Sequence, residues 1–348
     1  MTKRLRATLA AALLCALLAG CDAPDTGPKL LEDYLARLTR TVGVDSDPGS
    51  PDKPPSIVAA QLEPLPLPAS QIGMLDFLSL TGCELQQNLG RRNSHLGRHA
   101  SLSQQLLLDL EFLEQAPRCI ARIEETNPEL AAQLSAFASA RRAALPGSIY
   151  NAVLAGPEWR SLWRPPAALA DYPAQNSNDI GATLTQLASR VERWLAGDWQ
   201  ADNLVFESLL SELRAGDGGA LLLAATLQAE TLAAASDAVD RQRARGSLCP
   251  FGGDTTASRR LRTVAAKYFA GAVQPWLADL RRRRAVLLPP VQRIERALGA
   301  ALPAAYRDWQ QARDTALATL TAAPRRHAQS ISQSLADCGG IRGQNTPQ

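Results

Sequence analysis

The residues able to do chemistry are few and scattered. Three histidines occur in 348 residues. His95 and His99 are four apart, the spacing of one half of a metal site on a helix, but no third histidine or carboxylate ligand stands nearby at a matching spacing. They read as solvent-facing or capping residues, and no metal is assigned. His327 is solitary, so Ser–His and Cys–His arrangements have few options. Carboxylates are numerous, yet no spacing singles out an acid–base pair of the kind glycoside hydrolysis needs. Gly216-Asp217-Gly218-Gly219 and Gly252-Gly253-Asp254-Thr255-Thr256 are glycine loops ahead of helices, a place where phosphate can bind. Neither has the P-loop or dinucleotide order and neither follows a strand, so both read as helix caps. Trp159 and Trp163, one helical turn apart, would make a glycan or peptide platform if exposed; core packing is the expectation. Arg281 to Arg284 would suit anionic headgroups. Four successive helical residues circle the whole helix, so at least one of these arginines must face protein, and a solvated helix end is the plainer reading. No catalytic residue and no cofactor is assigned.

Thiols carry more information. Lys3, Arg4 and Arg6 precede a charge-free Ala/Leu run, Ala7 to Ala19. That run is too short to span a bilayer, which takes about 20 apolar residues, and it matches a secretory signal. It ends Leu18-Ala19-Gly20-Cys21, which resembles the lipobox of bacterial lipoproteins. The resemblance implies cleavage after Gly20 and lipidation of Cys21, whose thiol is the nucleophile, with the alternative an ordinary signal and a chance cysteine. Two or three acyl chains hold firmly where one does not, at about 0.8 kcal/mol per buried CH₂. Asp22 resembles an inner-membrane retention signal in some bacteria, which leaves inner versus outer membrane open. No later stretch reads as a membrane span.

Export changes the meaning of the remaining cysteines. Cys15 belongs to the signal, leaving Cys83, Cys119, Cys249 and Cys338. An even number in an oxidising compartment implies two disulfides out of three possible connectivities, against free buried thiols. None form CxxC, which argues against a zinc ribbon or thioredoxin-like site.

Composition narrows the partners. The chain has 37 Lys+Arg and 34 Asp+Glu, a formal charge of +3. Three of those bases lie in the signal and no acids do, so the mature part holds 34 of each and is neutral. A nucleic-acid partner is not expected, because such domains carry a basic excess.

The elements that position these residues are helical. Leu30, Leu31, Tyr34, Leu35, Leu38 and Val42 form one apolar stripe. Asp45 to Ser70 holds Pro48, Pro51, Pro54, Pro55, Pro64, Pro66 and Pro68, a density that breaks helices and favours extended chain: a tether, or a strap whose Leu62, Leu65 and Leu67 dock in a groove. Gln71 to Leu96 reads as a helix stopped at Gly97. Ser101 or Ser103 caps the next one, running towards Ala116, with Pro117 kinking or restarting it. Cys83 and Cys119 are each 18 residues from position 101. In an antiparallel hairpin they sit side by side, which favours Cys83–Cys119 and leaves Cys249–Cys338. Asn127-Pro128-Glu129 starts a helix with cap, N1 proline and acid. Further helices are expected over Asp179–Ala196, Ala201–Ala215 and Gly218–Arg245. Leu261 to Leu280 repeats at 3-4 spacing, with Pro275 bending it. Pro289-Pro290, Pro303 and Pro324 are expected to start later helices.

Asp76-Phe77, Cys83-Glu84-Leu85, Arg92-Asn93-Ser94-His95-Leu96-Gly97 and Cys119-Ile120 are similar to a proteobacterial family of predicted lipoproteins of unknown function, in which an Arg-Asn-Ser-x-Leu-Gly block lies between two cysteines. The resemblance implies export, lipidation and a helical body, and brings no catalytic residue. Arg92, Asn93 and Ser94 read as a polar cluster fixing the hairpin, or as a docking site for an anionic group or partner.

The expectation is therefore an all-α, multi-helix antiparallel bundle with long hairpins. It divides into a signal (1–20), an anchor with short helix and Pro-rich tether (21–70), and a helical domain (71–348). Function is expected to be that of a lipoprotein on the cell membrane facing the periplasm. It would be a non-catalytic module binding an envelope protein or cell-wall component, with an envelope enzyme on cell-wall glycan, peptide or lipid as the alternative.

Overall fold

The computed structural model describes residues 26–49, 53–57, 62–67, 80–174 and 179–339. The signal, Cys21 and Asp76-Phe77 lie outside the described residues, as does the start of the helix expected from Gln71. All regular structure among the described residues is helical.

Helix α1 (Gly27–Val42) buries Leu31, Tyr34, Leu35 and Leu38, the stripe its sequence spaces at 3-4 intervals. It packs into the body, against helices near the other end of the chain. The hairpin begins with α2 (Glu84–Asn93) and a one-turn α3 (His95–Arg98). The expected single helix is broken at Ser94, which is extended (φ −62°, ψ 161°). Its hydroxyl donates to Arg91 O at the end of α2, and its oxygen accepts from Gly97 N in α3. A short polar side chain thus satisfies both helix ends.

Helix α4 (Leu102–Ile123) is capped by Ser101, and α5 (Pro128–Ile149) by Asn127, caps worth roughly 1 kcal/mol each. After α5 the chain runs through a π-helical turn (Tyr150–Leu154) to α6 (Pro157–Leu162). Then come α7 (Ile180–Leu195), α8 (Asn203–Leu213) and α9 (Gly218–Arg245). Helix α10 (Thr256–Val264), started by a Thr255/Ser258 capping box, continues through nine π-helical residues (Ala265–Val273) into α11 (Gln274–Leu298). Helix α12 (Ala304–Ser334) ends the body.

Prolines interrupt less than expected. Pro117 lies inside α4, Pro289 and Pro290 inside α11, and Pro324 inside α12; Pro303 alone of the late prolines marks a start. An interior proline costs about 3 kcal/mol in a helix. In helices of 25 and 31 residues with a packed face, that cost is outweighed, and Pro290 and Pro324 are themselves buried. At Pro275 the wide π segment immediately precedes the ring, which spares the clash a proline makes four residues back.

Two disulfides tie the helices together: Cys83–Cys119 joins the start of α2 to α4, and Cys249–Cys338 joins the loop after α9 to the turn that follows α12, with Cα separations of 5.6 and 5.2 Å.

Orientation follows connection length. Neighbours joined by short turns, such as α4 and α5, are antiparallel. The closest packed pair, α9 and α12, is parallel: Gln228 meets Thr319, Ser236 meets His327 and Arg243 meets Gln333. The α10–α11 crossover returns the chain to where α9 began, so the bundle mixes hairpins with parallel pairs. One stretch within 203–245 is long and apolar enough by composition to cross a membrane, contrary to the sequence expectation. It spans α8 and α9, and 61% of its most apolar window is buried inside the fold.

Candidate functional site

The proline-rich segment is a strap where it is described. In Pro64-Leu65-Pro66 the leucine supplies the single backbone N–H. That N–H donates to Asn151 Oδ1 at 2.7 Å, and Asn151 Nδ2 donates back to Leu65 O at 2.9 Å. Asn151 lies in the π turn and is buried. One amide therefore satisfies both backbone groups, much as a neighbouring strand would. Leu62 is buried, and Leu65 and Leu67 lie close to Gly147.

Beneath the strap lies a cleft of about 630 Å³. Its walls are Leu62, Glu63 and Pro64 of the strap, Ser101 to Ser103 at the start of α4, the end of the π turn, Glu158 and Arg160 of α6, and Glu207 and Arg214 of α8. Glu158 accepts from Arg214, and Glu207 accepts from Gln104 at 2.7 Å. Glu63 and Arg160 line the cleft with no ion pair among the described residues. The cleft thus offers both signs of charge beside apolar surface, a lining suited to a polar ligand with an apolar part. Ser103 bonds Ser101 at 2.8 Å, with no histidine beside it to make a nucleophile.

Next to the cleft's roof, the Arg92 named by sequence reaches Asp109 of α4. Asp109 Oδ1 also accepts from Arg141 of α5, and Oδ2 accepts from Ser148 Oγ at 3.1 Å. Sequence reasoning missed Asp109, Arg141 and Ser148. The signal was present: Asp109 stands in the stripe Leu106, Leu110, Leu113, where a core residue belongs. Asn93 is exposed and takes no part, and Ser94 is engaged with the backbone as described.

The other candidates fall in the scaffold. His95 and His99 are exposed with ring centroids 4.8 Å apart. Among the described residues the one cluster of metal-ligand types is Cys249, Asp254 and Cys338, whose thiols are bonded to each other. His327 is fully buried where α1, α9 and α12 meet. Ser236 Oγ donates to Leu232 O at 2.7 Å, so its oxygen accepts from His327 Nδ1 at 3.0 Å, and Nε2 accepts from the Tyr34 hydroxyl. Burial pushes the His327 pKa down to about 4. This serine–histidine pair has its serine proton committed to the backbone and no room for a substrate; it is a tie between three helices.

Trp159 and Trp163 are buried, stacked edge-on with Trp309 and Tyr306 around Arg313. Arg313 and Glu295, both fully buried, form a bidentate pair (2.6 and 2.9 Å), with Tyr306 and Gln310 also donating to Glu295 and Asp314 taking Arg313 Nε. Of the Arg281–Arg284 run, Arg283 faces protein and clamps Asp217 through two bonds of 2.6 Å, beside the Tyr172 hydroxyl. Asp217 therefore serves a buried pair, and burial raises the Tyr172 pKa well above its ordinary value. Gly218 and Gly219 are needed because the backbone at Leu162 to Pro165 lies against them; a Cβ at Gly219 would meet Arg164 O at 2.0 Å. Both glycine loops start helices.

A family model described as "Protein of unknown function (DUF3080)" matches residues 31–341. No curated protein and no solved structure matches the chain.

Proposed function

This chain belongs to the DUF3080 family of proteins of unknown function, and from its own residues we propose that it is a lipid-anchored envelope protein of the binding kind, taking a peptide or cell-wall component in the cleft beneath the strap. The observation that carries this reading is the cleft itself. It is open, has a volume in the range of ligand sites, and presents Glu63 and Arg160 without ion-pair partners among the described residues. The anchor is supported by the Leu18-Ala19-Gly20-Cys21 sequence. Helix α1 begins six residues after Cys21, a reach of at most about 20 Å, so an acylated Cys21 would hold the body close to the membrane surface, on the periplasmic side.

An envelope enzyme is the second reading, and it draws on the same place: Glu63, Glu158 and Glu207 put three carboxylates around one cleft. Glu158 is held by Arg214 and Glu207 by Gln104, which suits binding better than proton transfer.

Two measurements test the proposal. Metabolic labelling with a fatty-acid probe should mark the protein and leave the Cys21→Ser variant unmarked and released from the membrane fraction. In-cell crosslinking of the lipidated protein should capture an envelope component, with capture weakened by Arg160→Glu. Turnover of a cell-wall substrate by the purified protein, abolished by Glu207→Gln, would replace the binding reading with the enzymatic one.

A further inference from the structure

The Asp109 cluster has a charge imbalance that its own atoms do not resolve. Two guanidiniums, Arg92 and Arg141, share one carboxylate oxygen, and Ser148 occupies the other. Among the described residues the cluster therefore carries one positive charge in excess. Glu111, the next acid along α4, is engaged with Arg91 and Asn88. Arg141 is 93% buried by its side-chain exposure of 7%, and its Nε has no acceptor among the described protein atoms. Burying an unpaired charge and an unmatched donor is costly.

A small pocket of about 20 Å³, partly open to solvent, adjoins these groups, lined by Arg92, Asp109, Arg141 and Ser148, with Leu67 of the strap as one wall. Its size is that of a single water-sized sphere. A monatomic anion matches that volume. The basicity of Arg141 points the same way. Burial, and then the neighbouring Arg92 charge, hold it below the ordinary arginine value despite Asp109, and a nearby negative charge would relieve both.

We propose that this cavity is a binding site for one halide ion, chloride in the cell, held by Arg141 and Arg92 with Leu67 as one wall. The ion neutralises the cluster, and Leu67 of the strap packs against the same pocket. Bound chloride therefore favours the strapped form.

The test uses the full mature chain. Crystals grown in bromide should show an anomalous scattering peak between Arg92 and Arg141. In solution, unfolding temperature should rise by about 2–4 °C for each tenfold increase in chloride above half-saturation, at constant ionic strength with gluconate as the balancing anion. Arg141→Met should lose that dependence. Arg92→Met, at a more exposed position, should lose most of it and serves if the first variant fails to fold, while Arg91→Met should retain it. Absence of a bromide peak, with a chloride response identical in wild type and Arg92→Met, would mean that the cavity holds water and would overturn the proposal.

Discussion

Two buried arginine clusters in this chain are built on different principles. Around Arg313 the guanidinium has an acid for each side: Glu295 takes it bidentately and the partly exposed Asp314 takes its Nε, Tyr306 and Gln310 complete the Glu295 carboxylate, and Trp163 and Trp309 flank the guanidinium at 5.1 Å. That cluster sits among helices α11 and α12, in the half of the molecule tied together by His327. Around Asp109 two cations share one acid among the described residues, a small pocket remains, and one wall is a proline strap whose Leu65 is bonded on both backbone groups to Asn151. In the first arrangement the buried arginine is fully matched by acids. The second, beside the cleft, has among the described residues one cation more than acid, with Leu67 of the strap as a wall. The difference sets a closed, acid-matched core cluster apart from a partly open, cation-rich one beside the proposed binding cleft.

The largest effect should come from breaking the balanced pair. Arg313→Met leaves Glu295 charged and buried, and should cost about 3–5 kcal/mol in denaturant unfolding. Replacing both residues with apolar ones of similar volume should recover most of it. A loss no greater than that of an exposed pair would mean that the sealed half is less closed than described.

His327 tests the same half by pH. Its folded pKa of about 4 lies below the ordinary 6.5. Between those values the unfolded chain binds a proton that the folded chain does not. Stability is therefore full above about pH 6.5 and falls as the pH drops towards 4, by roughly 3 kcal/mol in all. His327→Gln should flatten that part of the profile, whatever it does to the absolute stability.

The unbalanced cluster should respond less. In Arg141→Met, Asp109 keeps Arg92 and Ser148, so the expected loss is about 1–3 kcal/mol. A loss equal to that of Arg313→Met would erase the contrast between the two regions. The smallest change is expected at the strap. Asn151→Ala removes two hydrogen bonds and should cost about 1–2 kcal/mol, while making residues 62–67 much easier to cleave by protease. Cleavage unchanged from wild type would show that the asparagine does not hold the strap.

Much of the scaffold was legible from sequence because its signals are local. Asn127 and Ser101 caps, the α1 stripe, and the placement of Cys83 and Cys119 about a turn all follow from neighbours in the chain. Prolines misled because their local cost is real but is outweighed by packing that a sequence does not display: Pro290 and Pro324 are covered by other helices. Parallel pairing of α9 with α12 depends on the α10–α11 crossover, which spacing alone does not orient. The cleft was the least legible part. Its walls come from the strap, α4, the π turn, α6 and α8, and the residue that fixes the strap, Asn151, looks ordinary in a run of apolar neighbours. Arg92 could be named, but its partners Asp109 and Arg141 are 17 and 49 positions away.

The cleft beneath the strap is the proposed working surface. The direct measurement is site-resolved photo-crosslinking in living cells, with the photoreactive residue placed in turn at Arg160 and Glu63 in the cleft and at Arg326 on the scaffold helix α12. The account predicts a discrete adduct from both cleft positions and none from Arg326. Adducts from Arg326 alone, or from all three positions alike, would contradict it.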